Sequence, residues 1–171
     1  MIAMYKGLVK MYDDGANARS AKISDFVTEQ NLLRALSTLN INKILDAGGG
    51  TGRWSSFLAK QGFDMTIMDI SPEMLGMAEQ KFTRDNLDVR LVEGDIENSP
   101  FASQEFDLVL AEGGVISITP NPMQMLAEFR RITKSGGYVW IDYLNVMGWS
   151  LLQPDVELKM QLASVEEEDI Y

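Results

Sequence analysis

A glycine-rich turn between a buried strand and a helix constrains this chain more than any other feature of its sequence. The apolar run from Lys43 to Ala47 predicts a short buried strand. Glycines then alternate at positions 48, 50 and 52, and apolar residues recur at helical spacing after them. Glycine lets the backbone bend sharply and lets a ligand approach it closely. An ordinary tight turn fits these residues too, but the order of strand, glycine turn and helix is typical of nucleotide-type α/β folds.

The composition excludes several classes of chemistry. The 171 residues include no cysteine and no histidine. Disulfides, thiolate nucleophiles, Ser-His-Asp catalysis and metal sites that need imidazole or sulfur are therefore excluded, and we expect no metal. With 46% hydrophobic and 23% charged residues, the chain is expected to be globular. Its net charge of −10 argues against nucleic acid as a partner, because phosphate contacts need clustered Lys and Arg.

The hydropathy of the chain bears on its location. Its first residues, MIAMYKGLVKMYDD, lack the long apolar region of a signal peptide. No stretch approaches the roughly 20 consecutive apolar residues of a membrane-spanning helix. The sequence therefore predicts a soluble cytoplasmic protein with no membrane partner.

Helical and strand patterns alternate along the chain. Ser24 is predicted to cap a helix that runs to about Leu39. Four further strands are predicted at residues 65–69, 89–92, 106–111 and 138–142. Helices are predicted from about Gly52, from Pro72 and from residue 121, the last of them ending at Gly136 and Gly137. The connection before the fourth strand is predicted to be a loop with at most one helical turn.

This alternation predicts an α/β fold, a three-layer α-β-α sandwich with a mostly parallel sheet of five strands. Strands that alternate with helices imply helices on both faces and right-handed crossovers. The outer edges of such a sheet invite pairing or covering, so a homodimer is one way to protect an open edge.

Each predicted strand is followed by an acidic residue at or just beyond its carboxyl end. Ligands of open parallel sheets bind outside these strand ends, at the point where the strand order reverses. A single acid there is common in turns, but five favour a ligand that is hydroxyl-rich or cationic and carries little phosphate. The five acids are Asp46, Asp69, Asp95, Glu112 and Asp142.

The glycine spacing separates two cofactors that share this fold. Nicotinamide dinucleotides need G-x-G-x-x-G, but the third glycine position holds Arg53 or Ser55, depending on the frame. The chain has G-x-G-x-G instead. S-adenosylmethionine has no phosphate, carries a sulfonium and an ammonium group, and offers a ribose diol. It suits the acidic strand ends better than a dinucleotide does.

These motifs resemble those of class I, Rossmann-like S-adenosylmethionine-dependent methyltransferases that act on small molecules. The likeness runs in order from about residue 10 to 145. It rests on the segments DAGGGTG, MDISPEML, EGDI and FDLVLA and on the helix and strand within residues 126–141. The resemblance implies S-adenosyl-L-methionine as cofactor and S-adenosyl-L-homocysteine as product.

The resemblance implies roles for residues around the adenosine part of the cofactor. Asp69 is implied to accept hydrogen bonds from both ribose hydroxyls, since a carboxylate has two acceptor oxygens. Ile70 and Met74 are implied to pack on the adenine face. Asp95 is implied to receive the adenine amino group, and Ile96 to cover the ring.

A second set is implied to surround the methionyl part. Gly48 and Gly50 offer close approach to the backbone, and Asp46 orients their loop. The cofactor carboxylate is assigned to Arg53 or to the N-terminal segment around Tyr12. The full set implied by the resemblance is Tyr12, Asp46, Gly48, Gly49, Gly50, Arg53, Ala111 and Glu112.

The implied reaction is in-line displacement at the methyl carbon by a small-molecule acceptor. No catalytic residue is fixed by the sequence, and Glu112 and Tyr143 are the candidates if a base is needed. EGGV follows the fourth strand where enzymes that methylate amino groups of adenine or glutamine carry an Asn/Asp-Pro-Pro-Tyr/Phe motif, which argues against that activity. The alternative function is a module, or a truncated subunit, that binds the cofactor or its product without catalysis.

The family usually completes its sheet with two further strands, one of them antiparallel, and these are expected to be missing. The chain is then either a piece of a longer enzyme or covered at its edge by another subunit. We expect one domain over residues 1–171. Residues 1–42 form its N-terminal segment and helix, 43–144 its Rossmann-like core, and 145–171 an incomplete extension.

Overall fold

The computed structural model describes residues 19–143. In this range the elements are α1 (Arg19–Leu36), β1 (Lys43–Ala47), α2 (Arg53–Lys60), β2 (Asp64–Asp69), α3 (Pro72–Asp85), β3 (Val89–Glu93), β4 (Phe106–Ala111), α4 (Val115–Ile118), α5 (Pro122–Ile132) and β5 (Thr133–Ile141). The predictions made for Tyr12 and for residues 145–171 fall outside this range.

The five strands form one sheet in the order β3-β2-β1-β4-β5, and every neighbouring pair is parallel. The chain moves outward from β1 to β3 on one side and then from β4 to β5 on the other. The order therefore reverses between β1 and β4, which places a ligand-binding crevice beyond the carboxyl ends of these strands.

Helices cover both faces of the sheet. On one face, Leu36 of α1, Leu58 of α2 and Phe82 of α3 belong to a single buried cluster with alternate strand residues. On the other face, Val115 of α4 and Phe129 of α5 belong to a second cluster with the remaining strand residues. Because successive side chains of a strand point to opposite faces, strands buried on both sides must be apolar throughout. The predicted three-layer fold class is confirmed.

Helix α3 follows its sequence signals closely. The Ser71 hydroxyl accepts a hydrogen bond from the Met74 amide at 3.3 Å, and Pro72 takes the first helical position, where a missing N–H costs nothing. Its buried residues are Met74, Leu75, Ala78 and Phe82.

The prediction for α1 was wrong at both ends. The helix already includes Arg19, so Ser24 lies inside it and does not cap it. Nothing between Arg19 and Ser24 breaks a helix. At the other end the helix stops at Leu36, because the amides of Thr38 and Leu39 bond carbonyls three residues back instead of four.

The junction between α5 and β5 also differs from the prediction. The helix ends at Ile132 and the strand begins at Thr133, so the two glycines lie within the strand. Thr133 pairs with Phe106 and Tyr138 with Leu108, which leaves residues 134–137 as a bulge. Gly136 supplies its positive φ of +76°. Positive φ also ends helices, which is why the sequence pattern was ambiguous.

Two smaller differences concern the connections. The loop of residues 94–105 contains no helical turn, and the short helix α4 follows β4 instead. In the part of the chain that is described, no helix combines the length and apolar character of a membrane span. Nor do acidic side chains in that part gather in threes that could hold a metal ion.

Candidate functional site

The glycine turn connects β1 to α2 at the reversal point of the sheet. The amides of Gly48 and Gly49 donate to the Met68 carbonyl at 2.7 and 3.2 Å, which ties the turn to β2. Gly50 has a φ of +55°, and no heavy atom lies within 4 Å of the place where its Cβ would be. The backbone at Gly50 is therefore open to a ligand.

The underside of the turn is closely packed. A Cβ on Gly49 would lie 2.7 Å from Cγ of Asp46 and 2.7 Å from Cγ1 of Ile67. A Cβ on Gly52 would lie 2.5 Å from Cζ of Phe82. Gly52 is part of the quoted motif but was not predicted as a site residue. Its requirement for glycine comes from a contact with α3 that spacing alone does not reveal.

Asp46 lies beneath the turn and not on its open side. Its carboxylate is 1% exposed, and its Oδ2 accepts hydrogen bonds from the Ser55 amide at 3.1 Å and the Ser55 hydroxyl at 2.7 Å. Its Oδ1 is buried with no partner among residues 19–143. Burial raises the pKa of Asp46 to about 6; the Asp69 charge adds to the rise, and the Ser55 hydrogen bonds oppose it.

Asp69, at the end of β2, is held by backbone donors. Its Oδ2 accepts from the Gly50 amide and its Oδ1 from the Ser71 amide, both at 2.9 Å. Partial burial raises the pKa of Asp69, and these hydrogen bonds oppose the rise. The backbone of Ile70 also favours the ionised carboxylate. Because a carboxylate has about four lone-pair positions, acceptor capacity remains for a further donor.

The apolar residues beside Asp69 differ in exposure. Ile70 is 39% exposed, whereas Met74 is 3% exposed. Ile70 therefore offers an apolar surface next to the carboxylate. Met74 offers little, because its side chain is part of the packed face of α3.

The turn after β3 lies alongside Asp69, because the Gly94 amide donates to the Asp69 carbonyl at 3.1 Å. Asp95 is exposed, and its Oδ1 accepts from the Glu97 amide at 2.9 Å. Ile96 is half-buried and packs against the second cluster. The carboxylate of Asp95 thus stabilises its own turn with one oxygen.

The sequence did not point to Glu97, which anchors this turn. Its carboxylate accepts from the Thr119 hydroxyl at 2.7 Å and from the amide and side-chain nitrogens of Asn121 at 2.9 and 2.8 Å. These donors lie after α4, so Glu97 ties the loop after β3 to the segment after β4. An acid within a loop carries no spacing signal that would have identified it.

The carboxyl ends of β4 and β5 form the other side of the crevice. Ala111 is fully buried, and its carbonyl accepts from the Asp142 amide at 3.3 Å. Asp142 accepts in turn from the Gly114 amide at 2.7 Å, which fixes the turn after β4. Glu112 is half-buried, and its Oε2 accepts from Nε1 of Trp140 at 2.9 Å. Burial raises the pKa of Glu112, and the hydrogen bonds of Trp140 and Thr28 oppose the rise.

Arg53 joins α1 to the glycine turn. Its Nη1 donates to Oδ1 of Asp25 at 2.8 Å, and its guanidinium lies 4.8 Å from the ring centroid of Trp54. Its charge also acts on Asp46 and Glu112. Asp25 thus occupies one donor of the residue that was predicted to meet the cofactor carboxylate. Tyr143, the second candidate base, is 74% exposed.

The structure therefore brings most of the predicted residues to one edge of the sheet, in a crevice with Asp69 on one side and Glu112 on the other. The glycine turn lies between them, and its glycines do not have the G-x-G-x-x-G spacing of dinucleotide-binding proteins. This fold and crevice define a Rossmann-like domain of the kind that binds a small cofactor at the switch point.

Comparison with known proteins assigns the family. The family model described as "Methyltransferase domain" matches residues 44–137, more than half of the chain. The chain belongs to this methyltransferase family, which confirms the resemblance drawn from the motifs.

Two curated relatives illustrate the match. The chain is 37% identical to a malonyl-[acyl-carrier protein] O-methyltransferase of Pectobacterium atrosepticum, over 57% of this chain and 36% of the relative. It is 30% identical to a demethylmenaquinone methyltransferase of Beutenbergia cavernae, over 86% of this chain and 59% of the relative. The chain thus matches only part of the length of these relatives.

A solved structure agrees with the fold. A Methanococcus maripaludis protein assigned as an S-adenosyl-L-methionine-dependent methyltransferase superposes with a TM-score of 0.68 at 27% sequence identity. The superposition covers 77% of this chain and 61% of that protein.

Proposed function

We propose that this protein binds S-adenosyl-L-methionine and transfers its methyl group to a small-molecule acceptor, releasing S-adenosyl-L-homocysteine. The observation that carries the proposal is the Asp69 carboxylate, fixed between the Gly50 and Ser71 amides at the reversal point of the sheet. Both oxygens are held in place, and the carboxylate keeps acceptor capacity, which suits a hydroxyl-bearing ligand such as a vicinal diol. The names of the relatives and of the solved neighbour support the same cofactor and reaction.

The crevice divides between the two ends of the cofactor. Ile70, Asp95 and Ile96 would hold the adenine next to the ribose at Asp69. The open backbone at Gly50, the end of β4 at Ala111 and the Glu112 carboxylate would surround the methionyl end. The acidic character of this side suits a ligand that carries a sulfonium and an ammonium group.

When bound, the cofactor supplies an electrophilic methyl group attached to a positively charged sulfur. The protein contributes chiefly by positioning the reactants and excluding water, since the leaving group is a neutral thioether. If the acceptor must lose a proton, Glu112 is the base the crevice offers, because burial raises its pKa toward neutrality.

Two curated relatives act, by their names, on different acceptors, a malonylated carrier protein and a quinone precursor. For this chain we infer only a small-molecule acceptor and no nucleic acid, which the net charge of −10 supports. A cytoplasmic location and a homodimer that covers an open sheet edge stay predictions. Cell fractionation tests the first of them, and light scattering of the purified protein tests the second.

The decisive experiment is calorimetric titration with S-adenosylmethionine and S-adenosylhomocysteine, with NAD as a negative control. We expect micromolar-range affinity that falls at least tenfold, about 1.4 kcal/mol, in Asp69→Asn. Asp64→Asn is the matched control, because Asp64 is exposed at the opposite end of the same strand. Absence of binding to both sulfur compounds, or equal loss in the two variants, contradicts the proposal.

An assay for transfer of a labelled methyl group to each member of a panel of small-molecule acceptors then distinguishes a methyltransferase from a non-catalytic binding module. Turnover with any acceptor identifies an enzyme. Tight binding without turnover on every acceptor favours the non-catalytic module.

A further inference from the structure

The Glu112 carboxylate is held from the neighbouring strand by an indole. Strands β4 and β5 pair in parallel with Leu110 opposite Trp140, so Trp140 lies at a level two residues before Glu112. From there, Nε1 of Trp140 donates to Oε2 of Glu112 at 2.9 Å, a well-formed hydrogen bond. The bond joins the residue just after β4 to the penultimate residue of β5, the two strands that border the crevice.

The groups that act on Glu112 come from α1, α2 and β5 and from the residue just after β5. The Thr28 hydroxyl of α1 and the Arg53 charge at the start of α2 both favour the ionised carboxylate. Asp142, just after β5, repels it. Among these groups Trp140 is fixed within the sheet, whereas Thr28 belongs to a helix outside it. The direction of the carboxylate therefore depends most on the indole.

The other tryptophan in the described range shows that the hydrogen bond is not a general property of its indoles. Trp54 is 5% exposed, and its Nε1 is buried without a partner among residues 19–143. An indole N–H can only donate, so its partner must be an acceptor. Trp140 directs this donor to a carboxylate at the crevice.

We infer that Trp140 is a positioning residue whose indole N–H fixes the direction of the Glu112 carboxylate at the methionyl end of the cofactor site. This inference rests on the proposed function, since it assigns Glu112 to that site. Trp140 itself does not contact the cofactor and acts through Glu112.

The contact is tested first in the full-length protein without cofactor. The chain has three tryptophans, so its proton–nitrogen NMR spectrum contains at most three indole N–H signals. The signal of Trp140 is identified by its loss in Trp140→Phe. We expect the Trp140 signal to move with pH as Glu112 titrates, and this movement to vanish in Glu112→Gln. A signal with the same pH dependence in Glu112→Gln overturns the inference.

The positioning role is tested by cofactor affinity as a function of pH. Removing the indole donor destabilises the ionised carboxylate, which raises the pKa of Glu112. In Trp140→Phe we expect about tenfold weaker binding of S-adenosylmethionine at neutral pH. The pH midpoint of binding should also move upward, whereas a loss of packing alone would leave this midpoint unchanged.

Two further variants complete the design. Tyr138→Phe removes a polar group from an aromatic residue on the same strand and should leave binding unchanged. Combining Trp140→Phe with Glu112→Gln should weaken binding no further than Glu112→Gln alone. Unchanged affinity in Trp140→Phe, or additive losses, overturns the inference. If the wild-type protein does not bind the cofactor, the proposed function fails and this role with it, while the indole titration still reports whether the contact exists.

Discussion

Asp46 is the ionisable residue in the described part of the molecule that has a buried side-chain oxygen without a hydrogen-bond partner. One carboxylate oxygen is satisfied by Ser55, and the other is buried with no partner there. A buried carboxylate in this state binds its proton more tightly than the same group in the unfolded chain. The free-energy cost of burying the ionised Asp46 carboxylate therefore depends on pH.

The sign of this dependence follows from the pKa values, which are 3.8 for the ordinary group and about 6 in the folded protein. Between them the folded state binds more protons than the unfolded state, so the contribution of Asp46 to the free energy of unfolding falls as pH rises. The penalty is absent below the lower pKa and complete above the upper one. It amounts to at most about 3 kcal/mol.

We therefore expect the free energy of unfolding of Asp46→Asn, relative to that of the wild type, to increase as pH rises. The change in the free energy of unfolding should shift in favour of the variant between pH 3.8 and about 6 and then level off. Urea unfolding at a series of pH values measures it, with Asp64→Asn as a control that should show no such step. A difference that does not vary with pH over this interval contradicts the assignment.

At the scale of elements, the loop after β3 owes its position to Glu97. Three donors from Thr119 and Asn121 converge on its carboxylate and lower its pKa. The Glu97 amide in turn completes the turn that presents Asp95. A residue with no assigned contact to the cofactor thus controls the geometry of the predicted adenine site.

We expect Glu97→Ala to increase hydrogen exchange at the amides of Glu97 and Asn98 and to weaken cofactor binding several-fold. The reason is that the loop would sample more conformations, which binding must then restrict. Exchange measured by NMR and affinity measured by calorimetry test this, with the exposed Glu79→Ala on α3 as control. Unchanged exchange in the loop would show that Glu97 does not hold it.

Helices and strands show most clearly how far the sequence predicts the structure. Strands β1 and β4 have the predicted boundaries, because strands buried on both faces are largely apolar and give a strong sequence signal. Gly136 and Gly137 were placed wrongly, because a bulge and a helix end both use positive φ. The motif positions predict site residues at Asp69 and Glu112, which the structure places at the same edge of the sheet.

What the sequence could not reveal is the set of partners that hold these acids. Asp25 and Trp140 contact crevice residues from elements distant in the chain. Glu97 is held by Thr119 and Asn121, which follow α4. Their contacts follow from the packing of α1, the loop after β3 and β5. No local pattern encodes such contacts, since each depends on where two separate elements meet in the fold.

At the scale of the whole molecule, the proposed cofactor spans the point where the strand order reverses. Asp69 belongs to the half of the sheet formed by β1–β3, and Glu112 to the half formed by β4 and β5. A ligand held by both would link the halves. It would also stabilise the folded state, since it binds that state and not the unfolded chain.

We expect S-adenosylhomocysteine at about 100 times its dissociation constant to add roughly 2.7 kcal/mol of stability. For a chain of this size, the midpoint of thermal unfolding should then rise by roughly 5 to 10 °C. In Asp69→Asn at the same concentration, a tenfold loss of affinity should reduce the rise to about half, whereas the rise should persist in full in Asp64→Asn.

Hydrogen exchange then distinguishes a ligand that bridges the two halves from one that occupies a single half. Bridging predicts protection both at the glycine turn around Gly50 and at the turn around Gly114, whose amide is already fixed by Asp142. Protection confined to the first turn would place the whole ligand on the β1–β3 side. Glu112 would then lie outside the site, and the division of the crevice into an adenosine end and a methionyl end would be wrong.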